Sequence, residues 1–194
     1  MARTKVFDEN LVLDRAMKLF WEKGYNATSA QDLVNALGIS RSSLYDTYGD
    51  KHSLFVRALK RYRQERIDPV LQAVDTTEDV EEYVKFFFGF IKTEALGEDT
   101  PLGCFLVNSA VEMAPVDPEI AAIANGIMKD TEDALCKAIT KGQDLGIYSS
   151  HYDARSLAKF VFNSVNGLRV TVKFDVDKKM YEDIVNVTLS VLKK

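Results

Sequence analysis

The sequence predicts an all-α protein built from helices and short connections. Apolar residues recur at helical spacing along most of the 194-residue chain, and no useful stretch alternates apolar and polar residues as a half-buried strand does. Hydrophobic residues make up 46% and charged residues 28%, a balance that excludes intrinsic disorder and provides material for a buried core. We expect a small N-terminal helical domain followed by a larger helical domain.

The first four predicted helices form one small N-terminal unit. Their approximate ranges are 9–23, 28–37, 40–48 and 50–68. Asp8 and Ser40 have side chains that are preferred at helix N-caps. Gly24 and Gly38 are typical helix stops. Pro69 predicts a kink or break at the end of the fourth helix.

Five longer helical patterns make up the rest of the chain. They cover about residues 78–96, 102–113, 118–145, 153–174 and 179–192, and glycine, proline or aspartate separates them. The sequence contains no internal repeat and no low-complexity segment. We therefore divide the chain into an N-terminal domain over residues 1–50, a linking helix over residues 51–68 and a C-terminal domain over residues 69–194.

Composition and motifs argue against a membrane protein, a metalloprotein and an enzyme. No apolar run approaches the roughly 18 residues of a membrane span, and the N-terminus lacks the apolar run of a signal peptide. Cys104 and Cys136 lie far apart without zinc-site spacing, so we expect a cytoplasmic protein without metal or cofactor. His52 and His151 accompany no Gly-rich phosphate loop, nucleophile elbow or His-Glu-x-x-His motif. An enzyme and a helical interaction protein remain the minor alternatives.

Positive charge is concentrated in the N-terminal unit, although the whole chain carries a net charge of -4. Residues 1–63 contain 11 Lys and Arg against 7 Asp and Glu, whereas residues 64–194 contain 14 against 22. A basic N-terminal unit on an acidic remainder indicates an anionic partner for the N-terminal unit alone.

Residues 28–48 have the pattern of two short helices joined by a turn that contains Gly38. Gly38 can adopt the left-handed conformation that reverses the chain, and Ile39 fills the angle between the helices. Leu44 and Tyr48 lie one turn apart and can anchor the third helix on the core. This is the sequence form of a helix-turn-helix, although a helical hairpin with a polar face has the same pattern.

A longer series of positions resembles the DNA-binding domain of TetR-family transcriptional repressors. The matched positions, in order, are Phe7, Asp8, Leu19, Phe20, Gly24, Tyr25, Thr28, Ser29, Gly38, Ile39, Ser40, Leu44, Tyr45, Tyr48, Asp50, Lys51 and Leu54. Tyr48 stands where the family usually has Phe, and its ring can still pack if the hydroxyl finds a partner or solvent. The resemblance implies a DNA-binding regulator whose C-terminal domain dimerises and holds a ligand pocket.

The resemblance also implies that the third helix enters the major groove of DNA. The residues expected at the DNA are Ser29, Gln31, Ser40, Arg41, Ser42, Ser43, Tyr45, Thr47, Tyr48 and Lys51. Arg41 would read base edges, Lys51 would bind a phosphate, and the helix N-terminus at Ser29 would hold another. Arg3 and Lys5 would form an arm along the DNA backbone. The serines can equally be N-caps, Lys51 a solvated lysine, and the arm a frayed tail.

The last two predicted helices have the pattern of a dimer interface. A helix that is apolar on two sides needs cover on both, and a partner helix in a two-fold bundle provides the second cover. The expected interface residues are Leu157, Phe160, Val161, Val165, Leu168, Ile184, Val187 and Val191. A wholly internal helix is the alternative. We expect a homodimer on a palindromic double-stranded operator.

Aromatic residues in the middle of the chain are candidates for the pocket of a small-molecule inducer. The candidate residues are Tyr83, Phe86, Phe87, Phe90, Cys104, Phe105, Asn108, Glu112 and Met128. Aromatic residues at helical spacing are also typical of plain core. Residues 103–110 and 117–121 are similar to the C-terminal domain of one TetR-like subgroup, without indicating a ligand.

Cys104 provides an alternative in which the regulator senses electrophiles or oxidants. It follows Pro101 and Gly103 at or just before a predicted helix N-terminus, where the helix dipole favours the thiolate. Burial as a small apolar core residue is the competing interpretation. The signal is therefore either a covalent change at this thiol or a reversibly bound small molecule.

Overall fold

The computed structural model describes residues 7–96, 102–174 and 178–193, and within these ranges every regular element is a helix. The elements in chain order are α1 (Glu9–Lys23), α2 (Ala30–Leu37), α3 (Arg41–Tyr48), α4 (Lys51–Tyr62), a π-helical turn (Arg63–Ile67), α5 (Asp68–Thr76), α6 (Val80–Leu96), α7 (Phe105–Met113), α8 (Pro118–Asp144), α9 (Ala154–Thr171) and α10 (Lys178–Ser190). The all-α prediction is confirmed. None of these helices is both long and apolar enough to cross a membrane.

The helix predicted over residues 50–68 ends earlier than expected. α4 ends at Tyr62, the π-helical turn follows, and α5 begins at Asp68 with Pro69 in its first turn. Proline lacks a backbone N–H and is tolerated in the first turn of a helix, where that N–H has no partner. Pro69 therefore begins a helix instead of breaking one.

We call α1–α4 the head and α5–α10 the body. The first of two hydrophobic cores contains residues of the head and residues of the body. Phe20, Leu33 and Phe55 of the head are almost fully buried in it, together with Phe105 of α7 and Ile120 of α8. The rings of Phe55 and Phe105 lie 5.8 Å apart at an angle of 88°. α4 packs along α1 within this core, so its residues are more than a link between two domains. The head depends on the body for part of its packing.

The second core lies inside the body, between α6, the C-terminal half of α8, and α9. Val84, Leu135 and Val161 are fully buried there, and α5 and α10 cover its sides. The chain after α8 turns back into this core at Tyr148, whose ring is 3% exposed. The Tyr148 hydroxyl donates a hydrogen bond to the carbonyl oxygen of Val80 at 3.2 Å, which fixes the ring in place.

Gly142 in the last turns of α8 provides the space that the Tyr148 ring occupies. A Cβ atom at position 142 would overlap the Tyr148 ring, whereas a Cβ at Gly126 in the same helix would meet no other heavy atom within 4 Å. The same helix therefore contains one glycine that packing requires and one that packing does not require.

We expect Gly142→Ala to lower the free energy of unfolding by about 1–3 kcal/mol, because the methyl group overlaps a ring that its hydrogen bond holds in place. Gly126→Ala is the matched control, and helix propensity predicts a gain of up to about 1 kcal/mol for it. Urea unfolding followed by circular dichroism measures both variants. Equal effects of the two substitutions would contradict the packing role of Gly142.

Candidate nucleic-acid interface

The turn between α2 and α3 has the geometry of a helix-turn-helix. Gly38 lies in the left-handed region at φ 68°, and its N–H donates to the carbonyl oxygen of Val34 at 3.1 Å. A side chain at this φ would be strained, which explains the glycine. Ser40 then caps α3, because its Oγ accepts a hydrogen bond from the N–H of Ser43 at 3.1 Å. Leu44 faces inward and is 3% exposed.

The N-terminus of α2 is closed by a capping box. Ser29 Oγ accepts a hydrogen bond from the Asp32 N–H at 3.1 Å, and an Asp32 carboxylate oxygen accepts one from the Ser29 N–H at 2.8 Å. Lys23 lies 2.9 Å from the same carboxylate. The hydrogen bonds from Lys23 and Ser29 hold the pKa of Asp32 well below its usual range. Ser29 is therefore an N-cap on an exposed helix end.

The outer face of α3 carries most of the residues that the sequence places at the DNA. Ser40, Arg41 and Ser42 are exposed, and the half-buried residues on this side of the helix are Ser43, Tyr45 and Thr47. The Arg41 guanidinium lies 5.8 Å from the centre of the Tyr45 ring, within cation–π range. Gln31 is exposed on α2 and donates a hydrogen bond to Asn35 Oδ1 at 2.9 Å. Arg3 and Lys5 lie outside the described residues.

Tyr48 does not belong to this face, so its prediction as a DNA-contacting residue is wrong. Its side chain is 3% exposed in the first core, and its hydroxyl donates a hydrogen bond to the carbonyl oxygen of Glu9 at 3.3 Å. Burial raises the pKa of the Tyr48 phenol. The position that usually holds Phe in the family thus retains a core role, and the extra hydroxyl finds a backbone partner.

Lys51 is the first residue of α4 and lies half-buried beside the turn between α1 and α2. Its ammonium nitrogen lies 4.3 Å from the centre of the Tyr25 ring. Burial lowers the pKa of Lys51, and the nearby Glu112 carboxylate acts in the opposite direction. Asp50 caps the same helix, because its carboxylate accepts from the Ser53 N–H at 2.6 Å. The tyrosine ring restricts where the ammonium group can point.

Glu112 lies at the junction of head and body, and not in a pocket as predicted. Its two carboxylate oxygens accept hydrogen bonds from the backbone N–H groups of Tyr25 at 2.9 Å and Asn26 at 2.7 Å. A second polar contact lies nearby, where His52 Nε2 is 2.7 Å from an Asp117 carboxylate oxygen. Both contacts join α7 or the start of α8 to the head. The sequence carries no local signal for either pair, because the partners are far apart along the chain.

Two adjacent cavity compartments, of about 50 and 80 Å³, lie in the body and at its boundary with the head. Three of the predicted pocket residues, Phe86, Phe87 and Met128, line the first compartment. Cys104 lines the second compartment and is 3% exposed, with the Tyr62 hydroxyl 3.5 Å from its Sγ. The side chain of Phe90 lies outside the described part of the chain.

Three further residues predicted for the pocket lie in other surroundings. Tyr83 is buried in the body core, where its hydroxyl donates to the carbonyl oxygen of Val70 at 3.1 Å. Phe105 is part of the first core, which the head and the body share. Asn108 donates to the carbonyl oxygen of Leu102 and accepts from Lys173, each at 2.9 Å. Helical periodicity identifies residues that face the interior, but it does not distinguish the wall of a cavity from a filled core.

Sequence reasoning missed the polar residues that line the compartments. Arg66, Thr131, Asn166 and Arg169 line the first, and the two arginines also line the second. They come from the π-helical turn, α8 and α9, which the sequence does not bring together. The one available signal was that Arg169 follows the apolar stripe of α9 directly.

The predicted interface residues fall into three groups, which are buried, exposed and half-buried. Leu157, Val161, Val165 and Leu168 are at most 3% exposed because they fill the body core, so their assignment to an interface is wrong. Phe160 is 44% exposed and Val187 is 64% exposed. Ile184 and Val191 are half-buried at the side of the body core. α9 has the predicted apolar stripe, but other helices of the same monomer cover most of it.

Comparison with known proteins decides the family. The model of "Bacterial regulatory proteins, tetR family" matches residues 12–58, and that of "Tetracyclin repressor-like, C-terminal domain" matches residues 78–188. This chain belongs to the TetR family. It is a helix-turn-helix transcriptional regulator and not an enzyme, as the family and its relatives are.

TetR-family relatives match the whole chain. The uncharacterized HTH-type transcriptional regulator YezE of Bacillus subtilis (strain 168) is 36% identical over 193 residues, which cover 99% of this chain and 100% of that protein. The HTH-type transcriptional repressor ComR of Escherichia coli (strain K12) is 31% identical and covers 96% and 90%.

Solved TetR-family structures share the fold. A cysteine mutant of the regulator CifR, in complex with 26-bp double-strand operator DNA, matches with a TM-score of 0.84 at 24% identity, covering 98% of this chain and 100% of that chain. A TetR-family regulator from Agrobacterium tumefaciens matches with a TM-score of 0.84 at 22% identity, covering 95% and 97%.

The two α3 tyrosines distinguish the outer side of the helix, which is predicted to contact DNA, from its buried side. We expect Tyr45→Phe to weaken DNA binding by about 1 kcal/mol through the loss of a hydroxyl donor, without a change in stability. Tyr48→Phe is the matched control and should change the free energy of unfolding by at most about 1 kcal/mol, with DNA affinity unchanged. Fluorescence anisotropy with a bound DNA fragment and thermal unfolding measure the two effects. A loss of DNA affinity in Tyr48→Phe would contradict the assignment of Tyr48 to the core.

Proposed function

We propose that this TetR-family regulator represses transcription as a homodimer on a palindromic operator and that a small molecule bound in the body releases it. The outer face of α3 is the observation that carries the proposal. Arg41 and Ser42 are exposed there beside Tyr45, and these guanidinium and hydroxyl groups suit both phosphates and base edges. Lys51 adds a cation at the start of α4. Ser29, Gln31, Ser40, Ser43 and Thr47 complete the proposed DNA-binding surface.

Repression is the proposed mode because operator binding competes with polymerase for the same DNA. The transcriptional repressor ComR is 31% identical to this chain, which supports this mode. Cysteine-based sensing has less support, because Cys104 is 3% exposed and lies under the Tyr62 hydroxyl. A reversibly bound molecule is therefore the proposed signal.

A homodimer through α9 and α10 accounts for the apolar surface that the monomer leaves uncovered. Phe160, Ser164 and Gly167 recur at helical spacing on the outward side of α9, and Val187 is exposed on α10. A Cβ atom at Gly167 would meet no other heavy atom within 4 Å, so a partner helix can approach the backbone closely there. The two-fold axis of such a dimer places two heads on two half-sites of a palindrome.

Release of DNA requires a connection from the cavity to the head, and α7 provides one. Leu106 and Val107 at the start of α7 line the first compartment, and Glu112 near its end binds the Tyr25 and Asn26 N–H groups of the head. A ligand that repositions α7 therefore changes the position of the head. A state in which the two heads no longer match both half-sites has lower operator affinity.

The DNA-binding part is tested with sequences that the purified protein selects from a random pool. We expect Lys51→Ala to weaken binding to all sequences and to reduce the salt slope by about one unit, since one phosphate contact is lost. Arg41→Ala should instead reduce the preference at one base pair by about 1–3 kcal/mol, if its contact is bidentate. Lys159→Ala on the body is the control and should leave binding unchanged. Failure of the wild-type protein to select any sequence would refute the proposed function.

The dimer is tested by placing a charge on the exposed part of α10. We expect Val187→Asp to convert the dimer to a folded monomer, because Val187 is 64% exposed in the monomer and would be buried only against a partner. Val116→Asp is the control, since Val116 is 76% exposed in the turn between α7 and α8. Light scattering at micromolar concentration measures the mass, and circular dichroism verifies the fold. A wild-type monomer would remove the palindromic operator from the proposal.

A further inference from the structure

The two cavity compartments of the body form one site around a pair of arginines. Arg66, Ile67 and Arg169 line both compartments, so these three residues stand at the boundary between them. Arg66 lies in the π-helical turn, and Arg169 lies in the last turn of α9. Single π-helical turns inside helices occur frequently at functional sites.

Most of the remaining lining is apolar and aromatic. Phe86, Phe87, Phe162 and Met128 contribute to the first compartment. Trp21 of α1 reaches the second compartment, with its indole N–H donating to the carbonyl oxygen of Gly103 at 3.1 Å. Aromatic walls with a few convergent polar groups are the usual composition of a small-molecule site.

Neither arginine of the site has an acidic partner among the residues that the structure describes. The carboxylate pairs that the structure does show involve other arginines, such as Arg63 with Asp68 and Asp130, and Arg155 with Glu132 and Asp133. The described lining of the two compartments contains no Asp or Glu. Arg169 makes one long hydrogen bond, of 3.4 Å, to Asn166 Oδ1. The site therefore has positive charge that its own described residues do not neutralise.

We propose that the site binds a compact organic anion, with its charged group between Arg66 and Arg169 and its apolar part against the aromatic wall. The inference rests on the proposed function and names the chemical class of the inducer. A guanidinium group donates two parallel hydrogen bonds to a carboxylate or a similar oxyanion, which gives orientation as well as affinity. An uncharged apolar molecule would offer neither guanidinium group a charged acceptor.

The size of the site limits the anion to one ring or a short chain. The compartments measure about 50 and 80 Å³, and an apolar cavity of about 150 Å³ holds one benzene molecule. The two compartments together are slightly smaller than that cavity, so a monocyclic aromatic acid or a short aliphatic acid that spans both fills them and extends to the open side, where Phe86 is 43% exposed. Larger polycyclic ligands exceed this space.

The test compares acids with their uncharged amides on the wild-type full-length protein. The probes are benzoate, phenylacetate and hexanoate, each paired with its primary amide of nearly equal shape. Trp21 lines the site and is the single tryptophan of the chain, so its fluorescence reports binding directly. We expect saturable binding of at least one acid and binding of its amide that is weaker by about tenfold or more.

Arginine variants locate the charge recognition. Arg66→Gln and Arg169→Gln should each weaken binding of the acid by about tenfold and leave binding of the amide unchanged. Arg155→Gln is the matched control, because Arg155 is exposed and pairs with Glu132 and Asp133 away from the site. Amides that bind as tightly as the acids, acids that do not bind, or Gln variants with unchanged acid binding would each overturn the proposal.

Operator binding, measured without any probe, separates this inference from the proposed function. A protein that binds its operator but none of the three acids contradicts the anion site and leaves the regulator intact. Arginine-dependent acid binding with no change in operator affinity supports the anion site and contradicts its role as the inducer site.

Discussion

The carboxylate of Glu112 is a central contact between the head and the body. Glu112 accepts hydrogen bonds from the backbone N–H groups of the half-buried Tyr25 and the exposed Asn26, two donors in the turn after α1 that have no partner within the helix. Gly24 makes this approach possible, because a Cβ at its position would lie 2.9 Å from a Glu112 oxygen and its φ is 82°. A charged acceptor strengthens both hydrogen bonds. A residue of α7 therefore helps to fix the orientation of α2 and α3.

The first hydrophobic core also joins the head to the body, through apolar side chains. The ring of Phe105 on α7 lies 5.8 Å from that of Phe55 and 5.7 Å from that of Tyr62, both on α4. Because protein interiors are closely packed, a shift of α7 cannot occur without a matching shift of α4. α4 begins at Lys51 and leads at its other end into the π-helical turn that holds Arg66. The proposed DNA-binding and ligand-binding groups thus lie at the two ends of one continuous segment.

The sequence predicted the elements better than their partners. Side-chain caps such as Ser40, and the left-handed Gly38, are local signals, and both lie where they were expected. Pairings such as Glu112 with Tyr25 depend on the tertiary fold and leave no local pattern. The stripe from Leu157 to Leu168 shows a second limit, because periodicity identifies a buried face without saying whether the monomer or a partner covers it. Tyr48 shows a third limit, since an aromatic residue on the helix predicted to contact DNA is equally compatible with a core and with an interface.

Positive charge serves two different purposes in the head and in the body. In the proposed DNA complex, Arg41 and Lys51 of the head contact an extended polyanion, where water and salt screen each contact and many contacts act together. The proposed site in the body sets the exposed Arg66 and the half-buried Arg169 beside aromatic side chains, and partial burial of Arg169 strengthens an ionic contact there by lowering the local dielectric. A small anion therefore gains more binding free energy at the proposed site in the body than on the surface of the head. If both proposals hold, this difference allows one chain to distinguish a small organic anion from DNA although both carry negative charge.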